Sequence, residues 1–481
     1  MKRSITLLLS CAALSGCMVG PNYVSPAPKA PAQQDLASGT SPSFVPAEPP
    51  ADWWTLLDAP VLDRLVADAL AANTDLRVAA ANLREARASL SEARTARLPS
   101  TNISGNYTYS QQSGATLAPF GVTGAGPRLE TYDVGIDASY QFDLFGKISR
   151  TIQASRADLE AVQATYDLTR VTVVAETIRA YADACTSGRQ LGVARDTLRV
   201  QEETFDLTRR RVEGGRGTAL DTSQASSLLE QTRADVPVLE AQRKSALFRL
   251  ATLTGRPPAE YPAEVEACTT PPVARSAIPI GSGSSLLARR PDIRAAERRL
   301  AAATARVGVA TADLYPNISF GAGIGTTATS VGNLFSGDSL RFSLGPLVSW
   351  SFPNIAAARA RIRQAEAQAD GALATFDGTW LTALRETETA LTQYVAIGQR
   401  VATLRRARDA GREAARIARL RYQAGAEDFQ IVLDAERSLA GSESLLAQAE
   451  GQFSDATVTL FLALGGGWQT PTAQPAATPA N

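Results

Sequence analysis

The chain contains no histidine among its 481 residues. That removes the side chain that most often serves as general base or metal ligand near neutral pH. Ser-His-Asp triads, Cys-His dyads and His-ligated zinc are therefore excluded. No Gly-rich phosphate loop and no cluster of catalytic carboxylates stands in for them. The 48 basic and 48 acidic side chains cancel, which argues against nucleic acid as a partner. Four cysteines, Cys11, Cys17, Cys185 and Cys268, are left as the residues able to do covalent chemistry. Enzymatic catalysis is not predicted, and an Ala-rich, aromatic-poor composition favours long helices in close contact.

The N-terminus explains two of those cysteines. Lys2 and Arg3 precede a short apolar run from Ile5 to Leu14, the pattern of a secretory signal, too short for a membrane span. It ends in Leu14-Ser15-Gly16-Cys17, which resembles a bacterial lipobox, so residues 1–16 are expected to be the signal and Cys17 the lipidated first mature residue. Met18 follows rather than the Asp associated with inner-membrane retention, which predicts the outer membrane. In that oxidising compartment Cys185 and Cys268 either form a disulfide or remain as two buried thiols. No other cofactor and no metal site is expected.

Residues 17–57 are Pro-rich and expected to be an extended, lipid-anchored segment, and 469–481 a disordered tail. Between them the sequence repeats. Asp75-Leu76-Arg77 matches Asp292-Ile293-Arg294 and Pro99 matches Pro316, at a shift of 217 (292 − 75 and 316 − 99). Tyr140-Gln141-Phe142 matches Trp350-Ser351-Phe352, Arg211 to Gly215 matches Arg421 to Gly425, and Gly255 matches Gly465, at a shift of 210 (350 − 140). A near-constant shift over Gly, Pro and aromatic landmarks indicates duplication. The expected units are 58–256 and 284–468, joined by a linker at 257–283.

Each unit reads as a helix (60–97 and 284–313), a strand region (100–145 and 317–354), a very long helix (148–212 and 356–423), a Gly turn and another helix (219–254 and 429–464). The fold class is mixed α and β, mainly α, a duplicated helix–β-hairpin–long helix–helix unit. Residues 148–212 would extend about 98 Å as a helix, which demands a coiled coil or helical tube. The strand regions, Asn102–Ser110, Thr131–Phe142, Asn317–Gly325 and Leu340–Phe352, alternate in character. Tyr107, Tyr109, Tyr140, Phe142, Phe342, Trp350 and Phe352 are placed to form interfacial girdles. The alternative is an ordinary soluble hairpin. Four strands cannot close a barrel, and an open edge cannot sit in lipid, so membrane strands would require several chains; three give twelve strands.

Together these residues resemble the outer-membrane efflux channels of the TolC type, and within them the NodT-type lipoproteins that partner resistance-nodulation-division pumps. The resemblance is carried by the lipobox, Gly20-Pro21-Asn22-Tyr23, Asp52-Trp53-Trp54, Asp143-Leu144-Phe145-Gly146, Arg289-Arg290-Pro291-Asp292-Ile293, and Tyr422-Gln423-Ala424-Gly425 with Leu433-Asp434-Ala435. It implies a homotrimer with a twelve-stranded barrel in outer-membrane lipid, continued by a periplasmic helical barrel. An equatorial region formed partly by 257–283 would surround it. A periplasmic adaptor and an inner-membrane pump would load this passive duct.

The resemblance also implies a gate at the periplasmic tip, with an aspartate ring at Asp434, a near-equivalent at Asp221 and a bracing Tyr422. Asp221 has a second reading as a helix-capping acid after the Gly turn. The family's second aspartate falls on Ile431 and its bracing arginine on Glu427, so the brace must differ. Arg421 or Arg216 is expected to substitute, with Tyr422 and Asp221 holding neighbouring helices together. Adaptor docking is expected at the tip residues Gly215, Thr218, Leu220, Gly425 and Phe429. The competing readings are a lipid-anchored adaptor or coiled-coil scaffold without a pore, and a duct for metal ions or secreted proteins.

Overall fold

A computed structural model describes residues 18–26, 36–113, 115, 119, 121, 124–274, 276–283, 289–353 and 355–466. The signal segment, Cys17, residues 284–288 and the tail lie outside the described residues.

The chain begins its regular structure with β1 (Phe44–Val45), α1 (Pro60–Ala72) and α2 (Thr74–Thr95), followed by β2 (Ser100–Gln111) and β3 (Arg128–Phe142). Two long helices come next, α3 (Lys147–Glu213) and α4 (Ala219–Leu253). After β4 (Ile278–Pro279), the order returns as α5 (Pro291–Ala312), β5 (Asn317–Ala328), β6 (Leu340–Ser349), α6 (Ile355–Gln423) and α7 (Phe429–Ala463). The helix expected over 60–97 is two helices. Asn73 interrupts it: its side-chain oxygen accepts from the backbone N–H of Asp75 (2.9 Å) and Leu76 (3.2 Å), capping α2, while its amide donates to the Leu253 carbonyl (3.1 Å). An Asn cap inside a helical apolar period is a local choice that periodicity alone does not register.

Two compact units share these elements, and each draws on both halves of the sequence. The first (1–26, 83–162, 296–376) holds the sheet, whose strands run in the order β2-β3-β5-β6, all antiparallel. Asp143 ends the first hairpin and caps α3 through both carboxylate oxygens, accepting from Ile148 and Ser149 N–H at 2.8 Å each. That placement sets a negative charge at the helix N-terminus, where the dipole favours it.

The second unit (27–82, 163–295, 377–481) contains the main apolar core. Trp53 stacks on Phe461 at 4.4 Å, with Leu62, Ile178, Leu250, Leu391 and Leu460 fully buried around them. The linker is tied into this unit twice. β4 pairs in parallel with β1, and Cys268 is joined to Cys185 of α3 by a disulfide. The bond closes a loop with a sequence separation of 83 residues, which restricts the unfolded chain by an amount on the order of 4 kcal/mol in the loop-entropy account. Gly188, three positions after Cys185, seats the linker: a Cβ there would lie 2.2 Å from the Cys268 carbonyl oxygen. Gly188→Ala is therefore expected to displace residue 268 and leave Cys185 and Cys268 reduced in a large fraction of chains. Maleimide labelling of denatured, unreduced protein would read this directly; labelling equal to wild type would refute it.

Candidate functional site

The register divides the sheet cleanly. Directly opposed residues share a face. Ile103, Ile136, Ile324 and Phe342 form one cross-sheet row; Ala138, Ala322 and Leu344 form the next, and Tyr140, Phe320 and Pro346 another. These central rows are apolar, polar residues such as Glu130 and Arg128 on the same face lie towards its end, and the apolar members stand open: Ile103 is 75%, Phe342 79% and Leu344 70% exposed. The other face carries Asn102, Ser104, Asn106, Asp133, Asp137, Ser139, Ser343 and Arg341, with Gly321, Gly323 and Gly325 between them. There Arg341 donates to the Thr327 hydroxyl (3.0 Å) and approaches Asp133. A soluble sheet buries its apolar face and wets the polar one. Here nothing among the described residues covers the apolar face.

Aromatic residues bound this face at two levels. Tyr107, Tyr109 and Tyr132 lie towards one end, and Tyr140, Phe142, Phe320, Trp350 and Phe352 towards the other. Tyr132 and Phe142 are ten residues apart, about 33 Å along a strand. At a tilt of about 40° that spans about 25 Å, the height of an outer-membrane apolar band. Phe342, expected in a girdle, sits instead in the middle row with Ile136 and Ile324. Its level depends on pairing with distant strands and not on its place in β6. Among the described residues no helix is long and apolar enough to cross a membrane, a statement that bears only on helices.

The predicted tip residues gather in the second unit, where α3 meets α4 and α6 meets α7. Both turns close alike. Gly215 (φ +72°) and Gly425 (φ +75°) take the left-handed conformation, and the next N–H reaches back, Arg216 to the Arg211 carbonyl (2.8 Å) and Ala426 to the Arg421 carbonyl (2.9 Å). This is the helix-ending geometry for which glycine is favoured. Thr218 and Asp221 form a reciprocal capping box, Asp221 N–H to the Thr218 hydroxyl (3.3 Å) and Thr218 N–H to the Asp221 carboxylate (2.8 Å). Asp221→Ala should therefore fray the start of α4 by about 1 kcal/mol. Hydrogen exchange of the first turn of α4 measures this, and unchanged protection would contradict it.

Tyr422 is buried among Ala225, Ala418, Phe429, Val432 and Leu433. The Arg211 guanidinium lies 4.0 Å over its ring, and Phe429 packs at 5.6 Å. Burial pushes the Tyr422 hydroxyl above its usual pKa; Arg211 opposes the shift and the Asp221 carboxylate adds to it. Among the described residues Asp221 is hydrogen-bonded within its own cap and acts on Tyr422 only as a nearby charge. Arg421 pairs with Glu427 inside the α6–α7 turn (3.1 Å), and the cation that lies over Tyr422 is Arg211, from α3. Asp434 is exposed on α7, within 3.4 Å of the Gln430 amide and 3.7 Å of Arg437, both on the same helix. Leu220 is 64% exposed, whereas Phe429, expected among the docking residues, is 8% exposed and turned in upon Tyr422.

One pair at the tip escaped sequence reasoning. Glu436 is 3% exposed and is gripped by both Nε and Nη2 of Arg419 across the α6–α7 interface. The signal was present: Glu436 interrupts the buried stripe Val432, Glu436, Leu439, and a buried acid demands a partner.

A sheet with one uncovered apolar face between aromatic belts, continuous with helices of 67 and 69 residues, defines an outer-membrane protein of the conduit class. The family described as outer membrane efflux protein matches the chain twice, over residues 65–256 and 283–466. The chain is 32% identical to the outer membrane protein OprJ of Pseudomonas aeruginosa, with 96% of each chain covered. It is 28% identical to the probable outer membrane lipoprotein SilC of Salmonella typhimurium, over 95% of this chain and 96% of the relative. The solved outer-membrane channel OprN superposes with a TM-score of 0.88 at 37% identity, covering 94% of this chain and all of the other. The chain belongs to the outer membrane efflux protein family. It is an exit duct of the outer membrane, not an enzyme.

Proposed function

We propose that three copies of the chain assemble into one pore. Each contributes four strands to a twelve-stranded barrel, and the duplicated long helices continue it as a periplasmic tube. The observation that carries this reading is the open sheet. Its outer strands β2 and β6 both present an unpaired edge, and the first and last strands run in opposite directions. Joining β6 of one copy to β2 of the next continues the antiparallel order, and closure satisfies every backbone group in lipid.

The duct is passive. A periplasmic adaptor and an inner-membrane pump of the resistance-nodulation-division type deliver small molecules to it, and the lining selects by width and charge. Lipid on Cys17 adds a second hold on the membrane. The gate lies at the helix tips, where Asp434 presents one carboxylate per copy around the pore and Arg211 on Tyr422 braces α3 against α6. The exposed surface around Gly215, Thr218, Leu220 and Gly425 takes the adaptor.

The native mass of the mature protein, extracted from outer membranes in mild detergent, tests the assembly. A membrane-embedded trimer supports it. A monomer released once the lipid anchor is deleted would leave only a tethered coiled-coil scaffold.

A further inference from the structure

The residues that directly follow Cys17 belong to the Pro-rich segment expected to run extended. Met18 to Ser25 lie docked within the first unit. The fastening centre is Arg150, in the first turn of α3 and 2% exposed. Its guanidinium donates to the Val19 carbonyl (3.1 Å), the Gly20 carbonyl (3.1 Å) and the Asn22 side-chain oxygen (2.9 Å), with Gln153 of its own helix as a fourth acceptor (3.0 Å). Val19 N–H returns a bond to the Phe145 carbonyl (3.3 Å).

A buried cation in the first turn of a helix opposes the helix dipole and loses hydration. Helix stability does not account for Arg150 there; the oxygens of the N-terminal strap do. The backbones are cut to fit. A Cβ on Gly20 would fall 2.5 Å from Gly308 Cα, and one on Gly146 would fall 2.4 Å from Met18 Cγ, and both Gly20 and Gly146 have positive φ. Farther along, the Tyr23 hydroxyl donates to Glu297 (2.8 Å) and its ring packs beside Ala157, Ala301 and Ala302.

We propose that Arg150 is the receptor of this strap and so positions the acyl anchor: it fixes the lipid-bearing residue beside the β3–α3 junction. The inference rests on the reading of Cys17 as the lipidated residue and of the sheet as membrane-embedded. With the strap docked, Met18, one peptide bond from Cys17, packs against Gly146. An undocked flexible leash from Cys17 to the buried Leu36, about 19 residues, would let it wander on the order of 24 Å, and the lipid would then report little about where the strands enter the bilayer. Docking makes anchor and sheet a single unit at insertion.

The test uses the full-length protein in mild detergent, as wild type, Arg150→Met, Arg150→Lys and Gly20→Val. Chymotrypsin cleavage after Tyr23 measures strap opening, and mass spectrometry of the N-terminal peptide measures acylation. Arg150→Met and Gly20→Val should speed that cleavage by about 10- to 100-fold, the weight of one charge-assisted bond or more. Arg150→Lys should recover part of the protection, and cleavage within α3 should stay at the wild-type rate. Wild-type cleavage rates in both Arg150→Met and Gly20→Val overturn the proposal, as does equal loosening of the strap and α3, which marks a merely structural arginine. An unacylated Cys17 in the wild type overturns the anchor's role and is read from mass alone, separately from any failure of the strap.

Discussion

Arginine at Ile136 will prevent the proposed trimer from accumulating in the outer membrane, while asparagine at the neighbouring Asp137 will not. Ile136 is central in β3, opposed by Ile103 on one side and Ile324 on the other, and 49% exposed on the uncovered apolar face. On the lipid face of a barrel, Arg near the midplane costs about 2–4 kcal/mol. Three copies multiply this to about 6–12 kcal/mol, comparable to the whole stability of an ordinary domain. Asp137 projects from the opposite face, where its carboxylate crosses Gly323 closely enough that a Cβ on that glycine would meet it at 2.5 Å. Removing its charge alters the polar lining and leaves the lipid face intact. Asp137→Asn should therefore give a normal native mass with changed ion selectivity. Ile136→Arg recovered as trimer at wild-type yield would remove the assignment of this face to lipid, and with it the barrel.

Which parts of this arrangement were legible in advance follows from how far each one depends on distant partners. The alternation in β2 and β5 gives the two faces directly, because side-chain parity is fixed once a strand is assigned. The turns at Gly215 and Gly425 were equally readable, since a left-handed residue after a long helix asks for glycine. The level of Phe342 was not, because it is set by registers linking β6 through β5 to β3. Asn73 was hidden by the helical period around it. Arg211 was marked only as a repeat landmark matching Arg421, and nothing in that match pointed to Tyr422; the approach of α6 selects it. Arg150 was similarly silent, since its partners are backbone carbonyls that belong to no motif. The Gly20-Pro21-Asn22-Tyr23 run was visible as a resemblance, but its purpose as a strap depends on Gly146 and Gly308 from other elements.

At the tip, two contacts of unequal strength join the helices. Arg211 over the Tyr422 ring joins α3 to α6, and a partly exposed cation–π contact is worth about 1 kcal/mol. The Arg419–Glu436 pair joins α6 to α7 with one partner fully buried. Its value lies in what happens when it is broken unevenly. Arg419→Met strands a carboxylate in the apolar interface, at a cost of about 3 kcal/mol or more. Glu436→Leu leaves an arginine that is 41% exposed and can turn to water, at a cost nearer ~1 kcal/mol. The double change should then lie closer to wild type than Arg419→Met alone. Hydrogen exchange over 415–440 would show this order, and equal effects of the two single changes would refute it. If the tip is the gate, as proposed, the same inequality predicts its opening movement. Arg211→Ala should raise the time spent open in single-channel recordings at a cost of only about 1 kcal/mol in stability, because the weaker contact yields first and α6–α7 swings as one piece. Arg419→Met should instead give a tip that neither closes nor conducts steadily, since the moving piece itself has come apart.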